Sequence, residues 1–493
     1  MPSLLYLHHM SDHQSNRDSY LSWLPVLVIL LGILIRIIVF VYNRSFFLDE
    51  ANLALNVVEK NYSAFFGSLS YDQYAPPLFM VLSKFMVSTI GVKDQVLRIV
   101  PLLSSIGSII LLWLILKEWI KDYIVIAYGL GLFCFSILAI RYGTEFKQYS
   151  SDTFIALLLV YCGWRTHLCK MTKLSYMTWL VGGSLLIWYS MPSVLVLAGV
   201  AALLVSTNKN SPYALLFLFF AWSQSFLAYY FSVLKKSIAN EALANYHDDY
   251  FFSLIPKSGS DIIENFHLLE SLLRTVFDKS GVSIVFGVLI LGYGIYLVAR
   301  SSWPTFLLVV LPIIMTIGLS GLQLYSLIPR MTLFIVPLMI VLATIGLDGI
   351  WWALSPLMKL LIGLLMIFGL YNNKGYNYLS QKMEFDNIKL VLNGIPTTKN
   401  DSTTVYVHYL AVPACKYYIN YESSPYSHTN FHWGKWADAS KWNESDAASK
   451  EFGYAIIYRN NPSHTPQIVS RLSESKVRVS HVLGSRAALY RIE

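Results

Sequence analysis

Two adjacent carboxylates, Asp49 and Glu50, stand a few residues beyond an apolar run long enough to cross a bilayer. An ionisable pair at the face of a largely apolar protein calls for a functional reason. A carboxylate held still in such a place can take the proton from an attacking hydroxyl. The structural alternative is local. Asp49 could cap a helix starting at Glu50, with Leu48 and Leu53 stapling the turn, for about 1 kcal/mol. The two roles are compatible, because a capped carboxylate is a fixed one. Asp49 and Glu50 are therefore the candidate catalytic residues.

A second polar cluster, RYGTEFKQYSSD, covers residues 141–152 between two apolar runs and ends with Asp152 at the mouth of the second. Its charges are Arg141, Glu145, Lys147 and Asp152, with Tyr142 and Tyr149 among them. Arg98 opens one apolar run and Arg330 another. Each alone could anchor a helix end, but together they could hold a phosphate or diphosphate. Glu145, Lys147, Tyr149 and Asp152 join Arg98, Arg330 and Tyr74 as candidate binders of donor phosphate or substrate. Arg36, inside the first run, reads as a snorkelling residue or a headgroup partner.

These loops need a membrane scaffold. Of 493 residues, 55% are hydrophobic and 13% charged, with a mean hydropathy of +0.51. Soluble domains carry about 25% charged residues, so the chain reads as a polytopic membrane protein. Apolar runs occupy 21–42, 97–117, 123–141, 152–168, 174–190, 191–207, 212–233, 281–299, 303–320, 331–350 and 356–372. The segment 76–90 is short, begins with two prolines and carries Lys84 on a narrow polar stripe with Ser83 and Ser88. That pattern predicts a helix lying in the interface. About eleven crossings follow, with the N-terminus inside and the C-terminus outside. The basic loops then face the cytoplasm, and Asp49–Glu50, residues 141–152 and Arg330 share the outer face. The first run reads as a retained signal-anchor after a cytoplasmic tail, 1–20.

The membrane unit is expected over 21–372, with outer loops at 43–96 and 234–280. The second of these has helical periodicity and the length of a lid. From 373 to 493 the apolar runs shorten to strand length (TTVYVHY, GYAIIYR, AALYRI) and alternate with helix-like stretches at 411–419 and 465–474. A small extracytoplasmic α/β domain with a mixed sheet is the expectation.

The four cysteines show no CxxC spacing. No Walker loop, dinucleotide fingerprint, HExxH or GxSxG elbow is present. The net charge of +8 comes without a basic stripe interleaved with aromatics, which argues against nucleic acid.

In order, LDEANLALNVV, YDQYAPPLFMVL, LRIVPLL, YGTEFKQYSSD and PRMTLFIVPL resemble the bacterial family 39-like glycosyltransferases of GT-C fold. That group includes the protein O-mannosyltransferases and the lipid A aminoarabinose transferases. The resemblance covers about residues 20–350, and the late α/β region is similar to the extracytoplasmic tail of many members. It implies a sugar donor on polyprenyl phosphate, presented at the outer face of a bacterial inner membrane. Asp49 matches the family's catalytic acidic position, Pro76–Pro77 its loop motif, Arg98 the following arginine of the mannosyltransferases, and Asp152 a second aspartate of the aminoarabinose transferases. Ala75 departs from the pattern, standing where those enzymes carry Lys or His. Lys147 or Arg330 would have to supply that function.

The expected chemistry is a single displacement with inversion. Asp49 deprotonates an acceptor on a protein, lipid or glycan, while cations stabilise the departing lipid phosphate. No metal or cofactor is required, although carboxylates 49, 50, 145 and 152 could bind a divalent cation. Two other classes compete. A flippase of lipid-linked sugar would carry buried mid-bilayer charges and inverted repeats. A non-catalytic polysaccharide-binding protein of the envelope would tolerate loss of the Asp49 charge.

Overall fold

The computed structural model describes residues 21–169, 171–207, 212–277, 280–380, 386–395, 404–421, 429–434, 454–458, 479–483 and 487–492. The 1–20 tail and the helix expected at 465–474 lie outside them.

Every apolar run is helical. The chain opens with α1 (Trp23–Val41), α2 (Leu48–Glu59), α3 (Pro77–Ile90) and α4 (Asp94–Trp119). Next come α5 (Tyr123–Cys134), α6 (Ile137–Gly143), α7 (Tyr149–Leu168), α8 (Lys173–Tyr189), α9 (Ser193–Thr207) and α10 (Pro212–Tyr229). The short helices α11 (Lys235–Ile238) and α12 (Glu241–His247) precede α13 (Gly259–Phe277), which leads into α14 (Gly281–Ser301). The helical part closes with α15 (Trp303–Thr305), α16 (Leu311–Gly321), α17 (Val336–Trp351) and α18 (Pro356–Asn372). By length and composition, five segments suit a membrane crossing outright: Trp23–Val41, Asp94–Trp119, Pro212–Ile238, Gly281–Ser301 and Trp303–Gly321. Shorter apolar helices surround them, and the protein is a multi-pass membrane protein.

Two details depart from the sequence reading. The run 123–141 is not one helix. It breaks after Cys134 and restarts at Ile137, where the Ser136 hydroxyl accepts the Ala139 amide. Arg36 neither snorkels nor faces a headgroup. It is fully buried, donating to Ser105 Oγ (2.7 Å) and to the carbonyls of Gly32, Phe133 and Cys134. These carbonyls include the end of α5, where unpaired acceptors and the helix dipole favour a cation. Arg36 thus ties α1 to α4 and α5.

At 14 residues, α3 is about 21 Å long, short of the ~30 Å hydrocarbon core. Pro77 opens it, and Lys84 reaches back to the Val57 carbonyl of α2 (2.8 Å). Elsewhere, glycine permits close helix packing: a side chain at Gly294 of α14 would run into the Leu342 carbonyl of α17.

Beyond α18 lie α19 (Asn377–Ser380) and α20 (Ile388–Asn393), then a five-stranded sheet with α21 (Val412–Asn420) against it. Its strands are β1 (Thr404–Val407), β2 (Asn430–Trp433), β3 (Tyr454–Tyr458), β4 (Val479–Leu483) and β5 (Ala487–Ile492), ordered β2-β1-β3-β5-β4. β1 pairs in parallel with β2 and β3, while β5 is antiparallel to β3 and β4. The mixed sheet and the 411–419 helix agree with the sequence pattern.

This C-terminal unit shares a core with the first loop. Phe46, Leu53, Phe79 and Phe146 pack in one buried cluster with Val405, Tyr417, Ile456 and Leu489. Polar ties accompany it. The Tyr418 hydroxyl accepts the Phe46 amide (2.7 Å) and donates to Asp94 (3.4 Å), and Lys389 ion-pairs with the fully buried Asp94. Tyr418→Phe strands the buried Phe46 N–H and is expected to cost about 1–3 kcal/mol. The check is a lower melting temperature of the purified protein in detergent, with faster proteolysis of the C-terminal unit.

Candidate active site

Helix α2 decides which of the two carboxylates faces the solvent. It begins at Leu48, with extended Phe47 as its N-cap, two residues earlier than the sequence reading places it. Asp49 is therefore not the cap. The reciprocal bond comes from Glu50, whose Oε2 accepts the Phe47 amide (3.2 Å). Successive helical residues point about 100° apart, so the neighbouring carboxylates diverge.

Glu50 turns inward. It is fully buried and grips Arg98 bidentately, Nε–Oε1 and Nη2–Oε2 both at 2.9 Å. Its Oε1 also accepts the Phe146 amide (2.7 Å), while Arg98 Nη1 donates to the Arg44 carbonyl (2.8 Å). Burial alone would raise the Glu50 pKa, but the Arg98 and Arg44 charges outweigh it and hold the carboxyl below its ordinary range. Glu145 is likewise internal, 2.8 Å from Arg141 and 3.4 Å from Arg44. Expected to bind substrate or take part in catalysis, Glu50, Arg98 and Glu145 instead form ion pairs behind the cavity wall, because their partners meet them there across α2, α4 and the 144–148 turn.

Asp49 turns outward, with 27% of its side chain exposed. It lines a cavity of about 410 Å³ together with Tyr74, Lys147, Tyr149, Asp152 and Arg330. Six of the nine candidate residues thus share one cavity, and α3 does not separate their loops. Arg330 Nη1 lies 3.1 Å from Asp49 Oδ2, and its guanidinium rests between the rings of Tyr246 (5.1 Å) and Tyr149 (5.9 Å). Its Nε is buried without a hydrogen-bond partner. Burial works to lower the Arg330 pKa, but Tyr149, Asp49 and Tyr142 outweigh it, so the group stays charged.

Lys147, 4% exposed, donates to Gln73 Oε1 (2.7 Å). Burial lowers its pKa, with Arg330 adding to the effect and Asp49 opposing it. Asp152, 6% exposed, has no ion-pair partner among the described residues, and its Oδ1 accepts no hydrogen bond. The Tyr74 and Tyr229 hydroxyls touch, and burial raises the Tyr74 pKa well above its usual value, keeping it a neutral phenol.

The loop expected to act as a lid supplies Leu243, Tyr246 and His247 to the cavity, the last bonded to Ser326 (2.8 Å). Sequence reasoning did not single out these three, nor Asn52, Asp72, Gln73 and Tyr325, although the YDQYAPPLFMVL stretch contains Asp72 and Gln73 and Tyr325 stands five residues before Arg330. The cavity's carboxylates are Asp49, Asp72 and Asp152. Among the described residues, no group of three His, Cys, Asp or Glu side chains is placed to hold a metal ion.

No family profile matches the sequence, and no curated protein does. Solved structures do match in fold. ArnT from Cupriavidus metallidurans, bound to undecaprenyl phosphate, aligns with a TM-score of 0.51 at 10% identity, covering 94% of this chain and 97% of its own. Its apo state gives a TM-score of 0.53 over the same shares. The oligosaccharyltransferase AglB of Archaeoglobus fulgidus, in complex with an inhibitory peptide and a dolichol-phosphate, gives 0.50 at 12% identity, covering 92% and 71%. The fold is the GT-C type of membrane glycosyltransferases, with a small C-terminal sheet unit.

The two acidic neighbours should respond oppositely to neutralisation. Glu50→Gln leaves Arg98 buried without its counter-charge and is expected to cost about 3–5 kcal/mol. Asp49→Asn breaks a partly exposed pair and should change stability by at most about 1 kcal/mol. The depressed Glu50 pKa stabilises the fold fully above the ordinary glutamate value of about 4.3. That contribution is lost as pH falls toward the lower folded value. Melting curves from pH 7 to 3 should show this acid slope in wild type and Asp49→Asn, and its loss in Glu50→Gln.

Proposed function

We propose that the chain transfers a sugar from a polyprenyl-phosphate donor to an extracytoplasmic acceptor hydroxyl, with inversion, in the cavity around Asp49. The observation that carries this reading is the junction of one accessible carboxylate with two cavity cations, Lys147 and Arg330, in a protein of GT-C fold. ArnT bound to undecaprenyl phosphate and AglB in complex with a dolichol-phosphate support a polyprenyl-phosphate donor. The site then faces the exterior of a bacterial inner membrane, with the N-terminus inside.

A phosphate-linked sugar carries its own leaving group, so one base suffices. In the resting site Arg330 holds Asp49. An incoming donor phosphate competes for that guanidinium, engaging its unpartnered Nε and Lys147. Asp49 is thereby released to accept the proton of the acceptor hydroxyl as its oxygen attacks the anomeric carbon. The bond from that carbon to the phosphate oxygen breaks on the opposite face, and Arg330 and Lys147 stabilise the charge left on the lipid phosphate. Asp152 accepts hydrogen bonds from donor sugar hydroxyls. Side chains alone carry these steps, and any divalent cation would take the cavity carboxylates as ligands.

The test is turnover of a panel of polyprenyl-phosphate sugars by purified protein in lipid, with envelope extract as acceptor pool. Asp49→Asn should lower transfer at least 10²-fold while the protein stays folded. Arg330→Met should raise the donor KM and lower kcat. Transfer by Asp49→Asn at the wild-type rate would remove the proposed base. Lys147 loses its charge at lower pH than an ordinary lysine, so transfer should fall on the alkaline side, and Lys147→Arg should move that limb to higher pH.

A further inference from the structure

A second cavity, of about 280 Å³, opens beside the first. One wall is Asn52, Tyr71 and Asp72, which also line the Asp49 cavity. The other wall belongs to the C-terminal unit: Tyr409, Val412, Pro413, Lys416 and Gly434. The three shared residues form the partition between the two spaces.

That partition is built with care. Tyr71 and Asp72 are consecutive non-glycine residues in the left-handed region, at φ 63° and 50°. Asn56 holds the chain just before them, accepting the Ser70 amide (2.7 Å) and donating to its carbonyl (3.0 Å). Tyr71 then donates to Glu59 and Asp72 accepts from Asn240 (2.7 Å), while the next residue, Gln73, holds Lys147 in the first cavity. On the far wall, Gly434 passes so close to β1 that a Cβ would meet the Val407 carbonyl at 2.9 Å.

The partition also contains an unmet demand. Asn52 is 3% exposed and its Oδ1 has no hydrogen-bond partner. Such a group costs stability unless a ligand or water satisfies it. Asn52 lies three residues beyond Asp49 on α2, one turn along and on the same side of the helix. A group that satisfies Asn52 from the second cavity therefore lies one helical turn from Asp49.

We infer that this second cavity is the acceptor subsite and that its ligand is a glycan, one sugar ring seated between the tyrosines of the partition and the C-terminal unit. The inference rests on the transferase reading above. Tyr71 and Tyr409 offer faces for the C–H side of a pyranose. Asn52, Asp72 and Lys416 offer an acceptor, an anion and a donor for its hydroxyls.

The experiment measures two bindings separately on the full-length protein in detergent. The acceptor probe is a pool of oligosaccharides released from the native envelope and tagged with a fluorophore. The donor-site probe is undecaprenyl phosphate. Val412→Trp, which fills the second cavity from the α21 side, should weaken oligosaccharide binding at least tenfold and leave undecaprenyl phosphate affinity within twofold. The smaller change Lys416→Gln should weaken it three- to tenfold, which guards against a folding defect in the first variant. Arg330→Met should do the reverse, losing undecaprenyl phosphate while retaining the oligosaccharide.

No oligosaccharide binding to wild type, binding indifferent to both cavity variants, or binding of envelope-protein peptides in its place would each overturn the inference. Oligosaccharide binding that Val412→Trp abolishes, in a protein that ignores undecaprenyl phosphate, would keep the glycan subsite and overturn the donor reading instead.

Discussion

The buried pairing of Glu50 with Arg98 is the constraint on which the rest of the site depends. Two charges withdrawn from water cost several kcal/mol each unless geometry and further hydrogen bonds compensate them. Here both carboxylate oxygens meet the guanidinium edge and each accepts a backbone amide, one from Phe47 and one from Phe146. The pair therefore fastens the start of α2, the second turn of α4 and the 144–148 turn to one another. With those three segments held, Asp49 has one direction left to face.

Adjacency in sequence thus produces opposite tasks. A helix rotates each residue about 100° from the last, so Glu50 can serve the interior only while Asp49 serves the cavity. The 144–148 turn does the same from its side: Glu145 binds Arg44 and Arg141 internally, and Lys147 enters the cavity. An inner layer of compensated charges supports an outer layer of accessible ones. This arrangement would keep the proposed base and its two cations in position while the proposed lipid-linked donor enters.

The C-terminal sheet unit belongs to the same construction. Its Tyr417 packs on the ring of Phe46 (4.9 Å), and its Tyr418 holds the Phe46 amide, directly ahead of α2. Its Lys389 neutralises Asp94 at the start of α4. Through these ties the unit buttresses the helix that carries Asp49 and supplies one wall of the adjoining cavity.

Much of this was legible in the sequence for a physical reason: hydropathy and periodicity are local quantities. Apolar runs near bilayer length predicted the helices, short alternating runs predicted the β1, β3 and β5 strands, and the double proline with Lys84 predicted the α3 helix. Five motifs in a characteristic order pointed to the GT-C fold. Side-chain direction and partner choice were not local. Whether Asp49 or Glu50 faces the cavity turns on a helix start two residues earlier than the capping pattern suggested. Which arginine meets Asp49 turns on packing between positions 281 residues apart in the chain. Arg98 and Arg330 look alike in sequence, each at the head of an apolar run. Only the tertiary structure buries one against Glu50 and sets the other beside Asp49, because electrostatic partnership is decided by distance in space.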